Sequence, residues 1–473
     1  MVNPKMVKSP GLRLVQPRAR PVHEVRRQLT NNAPGRRQGN GPRTSWIKIG
    51  VLAIIVLQSD EFFTPIFRTD PALTAQMYAG FFILPAFAYL GHRLLNPTRV
   101  QTIVPFIPAA LATFYFCISA ISNNIFFPKP ITDWLPAQYI YLPMLCFYFL
   151  ALFRYTEKEA FFGMLFAGGI AASVIVADLF FRIEFVEFFI RRSVFDDKER
   201  RVVILLYQIT LLTIFCYAMM FAKERTMLGF LLFLVPFAGL VVLEAGIVQS
   251  RLSSLNILTA CILLTVWIKP YRSMGRLISV LVIFSGAAGV APFVFGKYLT
   301  LLSQTDLLTN AQYNVSIRIL ATEYYYDVFA QTYGIGFGMM SPTGQVNNPM
   351  SAGLAENINV VDTGMPAALF QFGIAGILAV VAVNVYCIVI AYRAHKILPA
   401  RHRWRAAAVA AFVTGAVLTP IPANFFSTVA HLQIGSIILF LVWRYRLALL
   451  RHQSRQRAGN RRPANTAMIK GRI

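Results

Sequence analysis

The sequence predicts an all-α polytopic membrane protein with about twelve transmembrane helices. Three observations predict it. Hydrophobic residues make up 56% of the 473-residue chain and the mean hydropathy is +0.56. Charged residues are only 14%, about half the usual globular share. Basic and acidic residues also segregate between alternate connections, as they do across a membrane.

A spanning helix needs roughly 20 mostly apolar residues. Runs of that kind lie near 47–66, 73–91, 101–122, 136–153, 160–181, 202–221, 226–243, 254–268, 277–295, 363–391, 405–421 and 429–446. The first is interrupted by "QSDEFF". Open strands leave backbone groups unsatisfied in lipid, so these runs are read as helices. With the N-terminus inside, the inner connections are "HRLLNPTR", "RYTEKE", "AKER", "KPYRSMGR" and "YRAHKILPARHRWR". Together with the two ends they hold 34 Lys/Arg and 4 Asp/Glu, against 11 and 16 everywhere else. Twelve spans with both termini inside satisfy the positive-inside rule.

The chain divides into a basic N-terminal segment 1–46, a membrane domain 47–446 and a basic tail 447–473. Both ends are polar and read as disordered. Their charge suits anionic lipid at an inner face rather than nucleic acid. The first apolar run begins only near Ile47, so no cleavable signal peptide is expected. Cys117, Cys146, Cys216, Cys261 and Cys387 each lie in an apolar run without C-x-x-C spacing, which predicts packing residues rather than a metal or disulfide framework.

The longest outer connection, about 296–362, falls between the ninth and tenth spans and contains "SIRILATEYYYDVFAQTYGIGFG", Ser316 to Gly338. If its first part is helical, Arg318, Thr322 and Tyr325 or Tyr326 share one face, with Glu323 and Asp327 four apart elsewhere. The glycines Gly334, Gly336 and Gly338 permit a tight turn or close backbone approach to a ligand. The run is not a nucleotide motif, since it lacks the Walker lysine and its strand–turn–helix context. The connection 182–201 reads as an interfacial amphipathic segment.

Outer arginines are exceptions to the charge rule. Arg251, in "VQSRLSSLN", immediately precedes the eighth span, with Ser253 or Ser254 as its cap. A guanidinium grips phosphate bidentately, and a helix start favours an anion. Arg251 and Arg318 therefore suit a diphosphate, although each can equally pair with a loop acid. The acids near the outer boundary are Asp60, Glu61, Asp178, Glu184, Glu187, Glu244, Glu356 and Asp362. Asp362 is either an N-cap or a catalytic acid. Five of the six histidines fall on the inner side; His431 alone reaches toward the outer end of its span.

An outer "SR" before a middle span, a long outer loop carrying "SIR…YGIGFG", and "VDTG…LFQFGIAGIL" opening the next span together resemble the O-antigen ligase/polymerase superfamily. The resemblance is strongest over about 240–380. Fifteen residues separate Arg318 from Gly334, which is similar to an arginine–x15–glycine pattern of the polymerase branch. The resemblance implies a glycosyltransferase of the bacterial inner membrane that polymerises lipid-linked repeat units at the periplasmic face. It implies a polyprenyl-diphosphate-linked oligosaccharide as substrate, a chain-length regulator and a flippase as partners, and no metal or cofactor. Arg251 and Arg318 would hold the diphosphate; Glu323, Glu356, Asp362 and His431 are candidate bases; Tyr325, Tyr326, Gly334, Gly336 and Gly338 would contact sugar. The ligase branch carries a loop histidine, whereas none lies between Gly296 and Asp362 here. A ligase and a lipid-linked oligosaccharide flippase are the alternatives.

Overall fold

The computed structural model describes residues 44–59, 77–96, 103–126, 128, 130–181, 193–195, 199–201, 206–222, 226–244, 251–268, 323–338, 365–418 and 429–460. The N-terminal segment up to residue 43 and the ninth apolar run, 277–295, lie outside the described residues. The described chain from Ser45 onward belongs to one compact unit and is almost entirely helical.

In chain order the helices are α1 Trp46–Ser59, α2 Leu84–Leu95 behind a π turn Ala79–Ile83, and α3 Ile107–Ile121 between a 3₁₀ turn Val104–Phe106 and a π turn Ser122–Phe126. The short α4 Ile131–Trp134 leads through a 3₁₀ segment Pro136–Leu145 into α5 Cys146–Leu152. Then come α6 Glu157–Phe181, α7 Leu206–Ala222, α8 Met227–Val242 and α9 Arg251–Ile268. A helix over 323–331 is α10; α11 Met365–Ile397, α12 Ala400–Leu418 and α13 Val429–Asn460 complete the set. Eleven of the twelve apolar runs thus coincide with helices. Among the described residues, four helices are long and apolar enough to cross a membrane: Val104–Phe126, Glu157–Ala177, Ala368–Ile397 and His431–Gln456.

Within the connection 182–201, β1 Ser193–Phe195 pairs antiparallel with β2 Glu199–Arg201; its other residues lie outside the described ones. Two boundaries differ from the sequence expectation. Arg251 is already helical in α9, so Ser253 and Ser254 lie inside the helix rather than capping it. Helix α13 runs on to Asn460, because Arg, Leu, Ala and Gln after Tyr445 are strong helix formers uninterrupted by proline. The first fourteen residues of the basic tail are therefore ordered as helix.

The sequence patches its own helix irregularities. Pro105 and Pro108 open α3. The Tyr148 hydroxyl donates to Pro105 O (2.7 Å) and accepts from Ala109 N–H (3.1 Å), so it sits inside a backbone bond of the first turn. Ser436 Oγ does the same where 3₁₀ passes into α5, donating to Met144 O (2.7 Å) and accepting from Phe147 N–H (2.8 Å). A polar side chain inserted into the ladder satisfies groups that would otherwise be bare.

The core is centred on α12, where Ala406 to Phe412 are all buried. Small residues let backbones approach closely when lipid offers no hydrophobic drive between helices. A methyl group at Gly415 would meet the Asn256 side chain on α9, and one at Gly168 would meet the Gln208 carbonyl on α7.

Two of the basic connections, "RYTEKE" and "YRAHKILPARHRWR", meet at one end of the bundle. There the start of α6, the start of α12 and Tyr445 of α13 converge on Glu157. Nearby, Lys48 donates to the carbonyls of Phe153 and Arg154 that end α5 (3.0 and 3.3 Å), and Lys396 donates to Trp267 O at the end of α9 (3.3 Å). At the opposite end α7 meets α8 through Thr210 and Glu244 and meets α13 through Tyr207 and His431.

Candidate functional site

Arg318, Thr322, Glu356 and Asp362 lie outside the described residues, as does the side chain of Arg251. The described part of the loop begins at Glu323, the first residue of α10. Tyr325 and Val328, three apart, face inward and are buried. Glu323, Tyr326 and Asp327 are exposed. Tyr325 and Tyr326 therefore split between faces. Tyr325 packs its ring 4.8 Å from Phe370 of α11 and is 1% exposed, so it is aromatic core and cannot present a face to sugar. Tyr324 is half-buried beside it, and burial pushes its phenol up to about 12, which keeps it a neutral hydrogen-bonding group.

Helix α10 ends in a Schellman motif. Gly334 N–H reaches back to Phe329 O and Tyr333 N–H to Ala330 O (3.0 Å each). The left-handed residue such an end requires is normally glycine; here it is Tyr333, at φ 51°. A non-glycine residue held there costs of order 1 kcal/mol. Tyr333 is nevertheless 86% exposed, with its ring 6.1 Å from Phe126. Together with Tyr326, it offers the exposed aromatic surface of this segment.

From Gly334 the chain splices into α11. That helix is broken at Gly373, where φ is 63° and ψ −176°. The Ile374 N–H, which in an unbroken helix would bond to Phe370 O, bonds instead to Gly334 O (3.1 Å). Phe370 O accepts from Phe337 N–H (2.5 Å) and Gln371 O from Gly338 N–H (2.8 Å). The loop thus satisfies the groups that the break sets free, the condition for a broken helix within a membrane protein. Stacking of Phe337 on Phe370, 5.3 Å apart and 8° from parallel, reinforces it.

The glycine requirement is steric. A methyl group at Gly336 would lie 2.5 Å from Gly373 N, and one at Gly373 would collide with the carbonyl of Ile335. Gly338, at φ 88°, packs against Ser119 of α3. Gly336 and Gly338 therefore admit neighbouring backbone and side chain rather than a ligand. Only Gly334 has ordinary contact distances around it, 3.5 Å to the Phe329 ring. Gly373→Ala is expected to lower stability by about 2–4 kcal/mol, the range for enforced strain plus overpacking. Detergent-solubilised thermal unfolding measures it, and an unchanged midpoint would exclude the splice.

At the other end of α8, Glu244 is 1% exposed and accepts from Thr210 Oγ1 at 3.0 Å. His431 does not reach the surface. It is 5% exposed, with its ring edge-on to Tyr207 at 4.0 Å. That burial removes it from the groups able to meet an acceptor in this conformation.

A buried ionic cluster at the basic end escaped the sequence reading. Arg405 donates from Nε to Glu157 Oε1 (2.6 Å) and from Nη2 to Oε2 (2.9 Å). Tyr445 donates to Oε1 (3.0 Å) and His402 Nδ1 lies 2.9 Å from Oε2. Beside it, "TEKE" forms a capping box: Glu159 N–H bonds to Thr156 Oγ1 (3.1 Å) and Thr156 N–H to Glu159 Oε2 (2.8 Å). The other Glu159 oxygen accepts from Ser45 N–H (2.8 Å), tying α1 to α6. The T-x-x-E spacing was a visible signal; the partners of Glu157, some 250 residues distant, were not.

No family model matches the chain, and no curated protein matches it.

Proposed function

We propose that the protein polymerises lipid-linked oligosaccharide repeat units at the periplasmic face of a bacterial inner membrane. The observation that supports this most is the splice. Two stretches that carry the resemblance to the ligase/polymerase superfamily, "YGIGFG" and "LFQFGIAGIL", exchange backbone hydrogen bonds between residues 33 to 40 apart in sequence. On this reading the chain crosses the membrane twelve times, with both termini in the cytoplasm and the loop 296–362 outside.

The chemistry follows from the substrate. An acceptor hydroxyl attacks the anomeric carbon of the growing glycan. The bond from that carbon to the diphosphate oxygen breaks, and its electron pair leaves on the diphosphate. Arg251 and Arg318 stabilise the charge that develops there. The hydroxyl proton passes to a carboxylate, with Glu323, Glu356 and Asp362 as the candidates. Tyr326 and Tyr333 replace Tyr325 as the aromatic residues available to stack on sugar. The buried charges of Glu157 and Arg405 sit at one end of the bundle rather than midway, which favours fixed chemistry over a carrier with a central polar cavity.

Sizing the lipid-linked glycans of a deletion strain tests the reading. Single repeat units should accumulate in a periplasmically accessible pool, with no long polymer at the surface. Long chains retained on the polyprenyl carrier would identify a ligase. Single units trapped on the cytoplasmic side would identify a flippase.

A further inference from the structure

Arg444 of α13 is half-buried and has no ion-pair or hydrogen-bond partner among the described residues; its guanidinium lies over the Trp443 ring at 5.9 Å. The carboxylates that act on it without pairing, Glu157 and Glu159, are already taken. Glu157 is held by Arg405, His402 and Tyr445, and Glu159 by the N–H groups of Ser45 and Thr156. Arg451, exposed two turns along the same helix, adds a second positive charge. A cation withdrawn from water is normally paired, so Arg444 requires an anion that these residues do not supply.

A further cation converges on the same place. Arg93, near the end of α2, turns back along its helix and donates from Nε to the Tyr89 hydroxyl (3.2 Å), with its guanidinium 5.2 Å from the centre of that ring. The charge of Arg444 acts on the same hydroxyl. Both helices pack on α5. The Tyr89 ring lies 5.7 Å from Tyr148 and the Trp443 ring 5.4 Å from Phe147. Phe147 and Tyr148 are neighbours, so Tyr89 and Trp443 sit at one level. Accepting from Arg93 leaves the Tyr89 hydroxyl its own proton to donate.

Two guanidinium groups and a phenol O–H around one point suit a phosphate, which takes several donors and matches the planar fork. The surroundings identify its source. Leu84, Phe87 and Leu94 share the opposite face of α2 and are 68%, 74% and 69% exposed, so α2 stands against lipid. The phosphates that reach its inner end are headgroups. A zwitterionic headgroup brings its own cation, which the arginines oppose; an anionic one does not. Basic pockets between helices at an inner membrane face are suited to such headgroups.

We propose that Arg93, Arg444 and Tyr89 bind the phosphate of an anionic phospholipid seated between α2 and α13. The site requires only that this end of the bundle meet a membrane surface, and it is independent of what is polymerised at the other end.

Thermal unfolding of the purified full-length protein in a neutral detergent tests it, with phosphatidylglycerol, phosphatidylcholine and inorganic phosphate titrated separately. Phosphatidylglycerol should raise the midpoint saturably, because a ligand that binds only the folded state stabilises it. Phosphatidylcholine and inorganic phosphate should have much smaller effects. Arg444→Gln and Arg93→Gln should each raise the phosphatidylglycerol concentration needed roughly tenfold, the effect of one lost charge-assisted hydrogen bond. Without lipid, Arg444→Gln should unfold no lower than the parent, since it removes an unpaired charge. An arginine with only a structural role predicts the reverse, a lower midpoint in every condition. Arg455→Gln removes an exposed charge about 16 Å further along α13 and should titrate as the parent does. The site is overturned if both Arg444→Gln and Arg93→Gln titrate as the parent does, or if Arg455→Gln weakens the response as much as they do. Equal stabilisation by inorganic phosphate would overturn the lipid assignment.

Discussion

Arg318→Ala and Arg251→Ala should each abolish long polymer while the protein still inserts at its normal level. Removing one preorganised charge-stabilising group from a transfer reaction costs about 10²–10³ in rate. A chain that grows by repeated transfers amplifies that loss into missing length. Lysine should restore only short chains, because it is a point charge without the planar fork. Gel profiles of surface polysaccharide, normalised to immunoblotted protein, measure the effect. Full-length polymer from both alanine variants would remove the diphosphate role from these residues.

Glu157→Ala should be the most destabilising single change among the buried polar residues. It leaves the Arg405 guanidinium buried with no anion and strands the Tyr445 hydroxyl and His402 as well. Removing one partner of a buried ion pair costs about 3–5 kcal/mol, far more than the net worth of the intact pair. The double variant Glu157→Leu/Arg405→Met should therefore recover much of the loss, because neither charge remains to be desolvated. Thermal unfolding of the two single variants and the double variant gives the coupling directly. Glu157→Ala with a stability within about 0.5 kcal/mol of the parent, the range of ordinary surface changes, would mean that the cluster is solvated.

The helical architecture was legible because a membrane leaves one kind of evidence everywhere: long apolar runs whose connections differ in charge. Eleven runs became helices, and the basic connections "RYTEKE" and "YRAHKILPARHRWR" met at one end as their charge implied. Interruptions were less legible. The break at Gly373 lies inside an apolar run with only a glycine to mark it, and many helical glycines stay helical, as Gly376 does here. The break exists because a distant loop supplies hydrogen bonds for it, information that no local window contains. The same holds for His431 and Tyr325, whose polar groups read as surface candidates while their burial was decided by helices remote in sequence. The tail misled for a different reason. Its charge argued for disorder, yet the helix propensity of its arginines, leucines and glutamines carried α13 to Asn460.

Helix α12 has a consequence for how the protein is made. It begins "ARHRWR", continues as an alanine-rich stretch, and is not among the four helices apolar enough to cross a membrane by composition. Its residues from Ala406 to Phe412 are enclosed by other helices, so in the finished protein they never face lipid. During synthesis they have no such shelter. Alone, α12 would partition weakly from the translocon, since alanine gains little from hydrocarbon and its four cationic or imidazole side chains resist entry. Helix α11 ends one short turn earlier, at Ile397, and is strongly apolar, so the two are suited to enter as a hairpin with the greasy partner leading. Biogenesis would then be ordered by the chain itself: α11, synthesised first, is already present to receive α12.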